Sequence, residues 1–180
     1  MRRSSISIAI CVMTAAILLI GIGRTRTFGA GNDAFGFNAP LISGFPGGRA
    51  VELTGGGAYN IEGKFVHSSG GFRCLSNIVA PPSFFAGCLT GQGVRWDTAA
   101  LLTDPQTFTC TGADTPKSET TGSHTVVLMA DFYRQGDGND ESFTARMIVS
   151  DSDIASDIGG IQNVWIQGIG CGTALAVSFN

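Results

Sequence analysis

The stretch HTVVLMADFYRQGDGNDESFTARMIVS, His124–Ser150, decides how this chain is read. Two runs of β-forming residues flank a tip made of glycine, aspartate and asparagine. In the second run Phe143, Ala145, Met147 and Val149 fall on one face, and Thr144 and Arg146 fall on the other. A period of two with one apolar face is a half-buried strand. Gly136, Gly138 and Asn139 accept the positive φ angles of a tight reversal, so the segment is a β-hairpin. Ile148 interrupts the polar face, which predicts that this face is partly covered near its end.

The same grammar runs outward from the hairpin. Short apolar runs bounded by Gly, Asn, Asp or Pro recur, and no window of a dozen residues shows a helical stripe. Strands are expected over Ala50–Thr54, Lys64–His67, Gly71–Leu75, Gly93–Asp97, Thr107–Thr111, Asn163–Gly168 and Thr173–Phe179, besides the two of the hairpin. A second hairpin is expected to pair NVWIQGIG with TALAVSF. About nine short strands predict an all-β fold, an antiparallel β-sandwich of jelly-roll type, with a closed barrel as the alternative. TGGGAYN, Thr54–Asn60, reads as a turn or bulge. The arm before Ala50, which carries Phe35, Phe37 and Phe45, is expected to lie against the sheet. Thr111–His124 reads as an exposed loop, and SDSDIASDIGG as one helical turn capped by Ser150 or Ser152.

The start of the chain differs from the rest. Arg2 and Arg3 precede an uncharged run from Ile6 to Ile22, followed by Gly23, Arg24 and Arg26. A basic start, an apolar middle and small residues after it describe a secretory signal peptide over residues 1–29, with one secreted β domain over 30–180. The run is at the short end of what spans a bilayer, so an uncleaved signal anchor is the alternative. Four of the eleven basic residues lie in this leader. Removing it leaves seven against fourteen acidic residues, a formal charge of −7. That balance, without a Lys/Arg cluster, excludes a nucleic-acid footprint and attraction to anionic membrane.

Cys74, Cys88, Cys110 and Cys171 remain after the leader, an even number in an exported chain, which implies disulfides. Cys74–Cys88 would close a short local loop, and Cys110–Cys171 would tie the last hairpin to the body. No C-x-x-C pair supports a zinc site.

Chemistry-bearing residues are few. Asp137, Asn139, Asp140 and Glu141 at the hairpin tip have the alternation of a calcium loop, though without the EF-hand pattern. A polar turn is the plainer reading. Asp151, Asp153 and Asp157 form a second acidic group, expected at the far end of the same strand. Asp131 lies in an otherwise apolar strand. If Tyr133 pairs with Ser142, it falls opposite Thr144 and diagonal to Arg146, which suggests a cross-strand polar pair. His67 and His124 have neighbouring serines, but adjacency in a strand points side chains to opposite faces. No G-x-S-x-G elbow or phosphate loop occurs. Tyr59, Phe72, Trp96 and Trp165 suit a core better than a sugar platform.

The chain is therefore read as a secreted, disulfide-stabilised β domain that binds a glycan or protein surface or serves as an envelope component, and not as an enzyme. A calcium-dependent carbohydrate-binding module is the second reading, with calcium as its only expected cofactor. A small β-barrel hydrolase or isomerase is the third; it requires a concave pocket lined by Asp131, Arg146 or His67.

Overall fold

The computed structural model describes residues 31–45, 49–78, 87–133 and 143–180. Within them the chain is all-β and antiparallel, as its alternation predicts. The strands are β1 (Asp33–Phe45), β2 (Arg49–Asn60), β3 (Phe65–Gly70), β4 (Phe72–Cys74), β5 (Arg95–Leu101), β6 (Gln106–Phe108), β7 (Lys117–Glu119), β8 (Thr125–Tyr133), β9 (Phe143–Ser150), β10 (Val164–Ile166), β11 (Gly170–Thr173) and β12 (Ala176–Phe179). Ten form one sheet in the order β12-β1-β11-β10-β9-β8-β5-β3-β2-β4, and β6 pairs with β7 in a small second sheet.

The large sheet curls. Because β1 also pairs with β2, from Asp33↔Tyr59 to Phe45↔Arg49, the pairings run in a circuit. Curling gives the sheet an inside, and the alternating residues fill it. Phe37, Leu53, Tyr59, Trp96, Leu128, Phe132, Met147 and Ile166 are all buried there in one cluster. Burying each such side chain contributes about 1.5–3 kcal/mol. Rings meet edge to face where Phe72 and Phe132 stand 5.3 Å apart.

The hairpin β8–β9 has the expected register: Asp131 lies opposite Thr144 and Phe132 opposite Phe143. Val126, Val127 and Leu128 are buried in succession, so both faces of β8 are covered there. The outward residues Val127, Ile148, Trp165 and Cys171 form a second cluster with Phe108, Cys110, Ile154 and Ala155. The outer layer comes from the β6–β7 hairpin and from the segment between β9 and β10. This is the cover that Ile148 predicted.

Several local expectations differ from what forms. TGGGAYN is strand, not turn. Its glycines let strands and rings approach: a Cβ on Gly55 would collide with the Trp96 ring, whose indole N–H donates to the Thr54 carbonyl at 2.9 Å. The Phe-bearing arm is β1, a full strand with register shifts between Ala39 and Ile42 and between Ile42 and Phe45. The last hairpin is tighter than expected. β10 turns through Gln167–Ile169 into β11, with Trp165 opposite Cys171, while AVSF pairs instead with β1. Lys117–Glu119, expected in a loop, pairs with β6. SDSDIASDIGG forms bends and turns without a helix, and the Ser150 hydroxyl accepts from the Ser152 N–H at 3.1 Å.

Candidate functional site

The two cysteine pairs are bridged, Cys74 to Cys88 and Cys110 to Cys171. The second bridge joins the outer layer to β11, and beside it lies a cleft of about 700 Å³. Three segments supply its walls: Thr111 and Gly112 just after the bridge, Asp157–Gly159 between β9 and β10, and Cys171–Thr173 on β11. Pro40 and Leu175 complete the rim.

Each wall has a local reason for its position. Gly112 follows Cys110 with φ near +90°, which turns the chain over the bridge at no steric cost. Lys117 on β7 reaches Asp157 at 2.5 Å, and the Asp114 N–H donates to the same carboxylate at 3.1 Å, so the two covering segments are clamped together. The Thr173 hydroxyl donates to the Ile161 carbonyl at 2.5 Å. Ladder pairing of β1 stops at Leu41↔Thr173 and resumes at Asn38↔Ala176. Pro40, which has no N–H, lies in that gap. There the buried Asn163 side chain takes the place of a strand. Its Oδ1 accepts from the Ala174 N–H at 2.6 Å, and its Nδ2 donates to the Ala174 carbonyl at 3.4 Å.

The electrostatics of this cleft turn on one ion pair. Asp157 is the carboxylate on its wall, and the hydrogen bond from Lys117 holds it below the usual carboxylate range. It is ionised and neutralised at neutral pH, so it is a poor general acid. The lining is mixed: Thr111, Gln162 and Thr173 bring side-chain polar groups, while Pro40, Ile158 and Leu175, the last 75% exposed, bring apolar surface.

The outer face of β3, β5, β8 and β9 carries the other polar group. Trp96, Ala130, Phe132 and Ala145 point inward, so Asp97, Asp131 and Thr144 point outward. Register puts Ser69, Asp97, Asp131 and Thr144 in one row across four strands. The Thr144 hydroxyl donates to Asp131 at 2.7 Å, Arg95 pairs with Asp97 at 3.0 Å, and the Arg95 guanidinium lies 4.1 Å from the Tyr133 ring centroid.

Asp131 and Arg146 stand diagonally, yet the structure does not join them. Arg146 turns the other way, because acceptors and an aromatic face lie there. Its Nη1 donates to Gln106 at 3.1 Å, its Nε to Gln167 at 3.2 Å, and its guanidinium lies 5.6 Å from the Trp165 centroid. Arg146 thus fastens the small sheet to the large one. Neither Asp131, Arg146 nor His67 lines this cleft or another of about 340 Å³ between Glu52, Arg73 and Val94.

The acidic group after β9 is dispersed: Asp151 bonds His124 at 2.7 Å, Asp153 accepts from the Ala155 and Gln162 N–H groups, and Asp157 faces Lys117. Among the described residues no group of three or more His, Cys, Asp or Glu could hold a metal ion. Asp137, Asn139, Asp140 and Glu141, the calcium candidates, lie outside the described residues, as does the leader. Among the described residues no helix is long and apolar enough to cross a membrane. The four residues Tyr59, Phe72, Trp96 and Trp165 are core, as their size suggests.

Sequence reasoning missed Lys117, Asn163 and Gln106. The ion pair spans 40 residues and the contact of Arg146 with Gln106 another 40, so neither leaves a local signal. Asn163 offered a faint one, an amide at the start of an apolar strand. No protein-family model, curated protein or solved structure matches the chain.

Proposed function

We propose that this chain is an exported, non-enzymatic binding domain that presents the cleft beside Cys110–Cys171 to another macromolecule of the cell envelope or its surroundings. Two disulfides fit an oxidising compartment outside the cytoplasm. The observation that carries the binding reading is the pairing of a neutralised Asp157 with the exposed Leu175 on one rim. Such a cleft offers apolar area beside the uncharged polar groups of Thr111, Gln162 and Thr173, and among the described residues the carboxylate that lines it is already engaged by Lys117. A protein surface suits that chemistry better than a glycan, because sugar recognition draws on exposed rings, and among the described residues no aromatic side chain lines this cleft.

The test has two arms. Fractionation with intact-mass measurement before and after reduction should find the protein outside the cytoplasm with the mass lost on forming two bridges. Four free thiols on cytoplasmic protein would overturn export. For binding, peptide and glycan arrays are probed with the wild-type protein and with Leu175→Asp. Enrichment on apolar peptides that the variant loses supports the reading. Glycan binding indifferent to Leu175, or turnover of a chromogenic ester or glycoside panel, overturns it.

A further inference from the structure

The last strand has an open edge. The N–H and carbonyl of Asn180 both bond Ala34, at 3.0 and 3.1 Å, which makes 34/180 a doubly bonded pair. Alternation along an antiparallel ladder then makes 36/178 and 38/176 bonded pairs too. The intervening Val177 and Phe179 therefore direct their N–H and carbonyl groups away from β1. β12 ends the order of the sheet, so among the described residues no strand covers that edge.

Nothing in β12 protects this edge. Ala176–Phe179 contains no charge, no proline and no lysine, the devices that ordinarily blunt exposed strand edges. Ser178 is exposed, while Val177 and Phe179 lie against the core cluster and Phe35 stacks on Phe179 at 6.0 Å.

We infer that β12 pairs antiparallel with β12 of a second copy of this chain, about a two-fold axis at Ser178. In that register Val177 faces the partner's Phe179, and Phe179 faces the partner's Val177. Every outward N–H and carbonyl of the two residues then finds a partner. Apolar side chains meet on one face, and the two serines meet on the other without like charges. A second copy supplies the backbone groups together with an apolar partner for each of Val177 and Phe179 in one register, as an isologous contact requires. The sheet becomes continuous across the dimer. This inference does not depend on the cleft being a binding site.

Sedimentation velocity of the exported protein over a concentration series is the first measurement, with Ser178→Lys beside the wild type. A wild-type dimer that weakens roughly fivefold or more in the lysine variant is expected, since two like charges would face each other at the axis. Should the lysine variant misfold, Ser178→Cys gives an independent reading. Directly opposed, non-bonded residues stand close enough for a disulfide, so oxidation should trap a dimer through position 178. Ser118→Cys, on the exposed side of β7, is the control. A wild type that is monomeric throughout, a dimer indifferent to Ser178→Lys, or Ser118→Cys crosslinking as readily as Ser178→Cys would overturn the inference.

Discussion

The Tyr59 hydroxyl donates a 2.6 Å hydrogen bond to the carbonyl of Gly122, 63 residues further along the chain. Tyr59 is the penultimate residue of β2, and its ring is buried against Phe35 and Phe179. The bond ties the inner cluster to the segment that leads into β8. Burial, with Asp33 and Asp151 adding repulsion, pushes the phenol up to about 12. An unfolded tyrosine ionises near 10, so the folded state holds its proton between these values while the unfolded state loses it. Stability from this group is full below pH 10 and falls as pH rises toward 12. Tyr59→Phe should cost about 1 kcal/mol at pH 7 and flatten that alkaline fall, as read by urea melts across pH.

Gly55 lies under Trp96, and a methyl there would meet both the ring and the Ser69 carbonyl. The backbone cannot yield without opening β2 from β3. Gly55→Ala should destabilise the protein by about 1–3 kcal/mol, with a change in Trp fluorescence on the same sample. An unchanged melting curve would contradict this close contact.

The bridges should differ in worth. Cys110–Cys171 closes 61 residues and Cys74–Cys88 closes 14. On the chain-entropy model these contribute about 4 and 3 kcal/mol. Removing the first pair as alanines should also loosen the layer over Trp165. Hydrogen exchange should then rise at Val127 and Ile148 before it rises at Leu53.

Lys64, in the turn between β2 and β3, is the one non-glycine residue with positive φ, 49°, among the described residues. Its side chain is exposed, so replacement removes strain without removing packing. Lys64→Gly should stabilise by about 0.5–1 kcal/mol, the strain relieved less the added freedom of the unfolded chain. A loss in thermal melting would contradict the turn geometry.

The hydrogen bond from His124 holds the Asp151 carboxyl below its ordinary value of 3.8, with Ser152 helping. A depressed carboxylate contributes stability above its unfolded pKa, and that contribution disappears as pH falls through the folded value. His124→Ala should bring the Asp151 titration, followed by carbonyl NMR, back up toward the ordinary range.

Much of this was legible beforehand. Phe143, Ala145, Met147 and Val149 alternate strictly, and a strand with one buried face has no freedom in which residues it turns inward. The register that places Asp131 opposite Thr144 followed from pairing the two runs about their tip. TGGGAYN was misleading because glycine marks both turns and close strand contacts. The close approach of Trp96 to Gly55, of Phe35 to Gly56 and of His67 to Gly57 distinguishes them, and these contacts join residues apart in sequence. The pairing of AVSF was hidden for a related reason: β11 occupied the hairpin position, and β1 offered a longer partner.

Local alternation, composition and cysteine parity, all properties of neighbouring residues, were enough by themselves to determine an antiparallel β protein with a covered hairpin. Long-range geometry decided the rest. The meeting of β1 with β2, the turn of Arg146 toward Gln106 and away from Asp131, and the clamp of Lys117 on Asp157 each join residues that chain order keeps apart. Side chains choose partners by what packing brings within a few ångströms, and the curling of the sheet sets that packing.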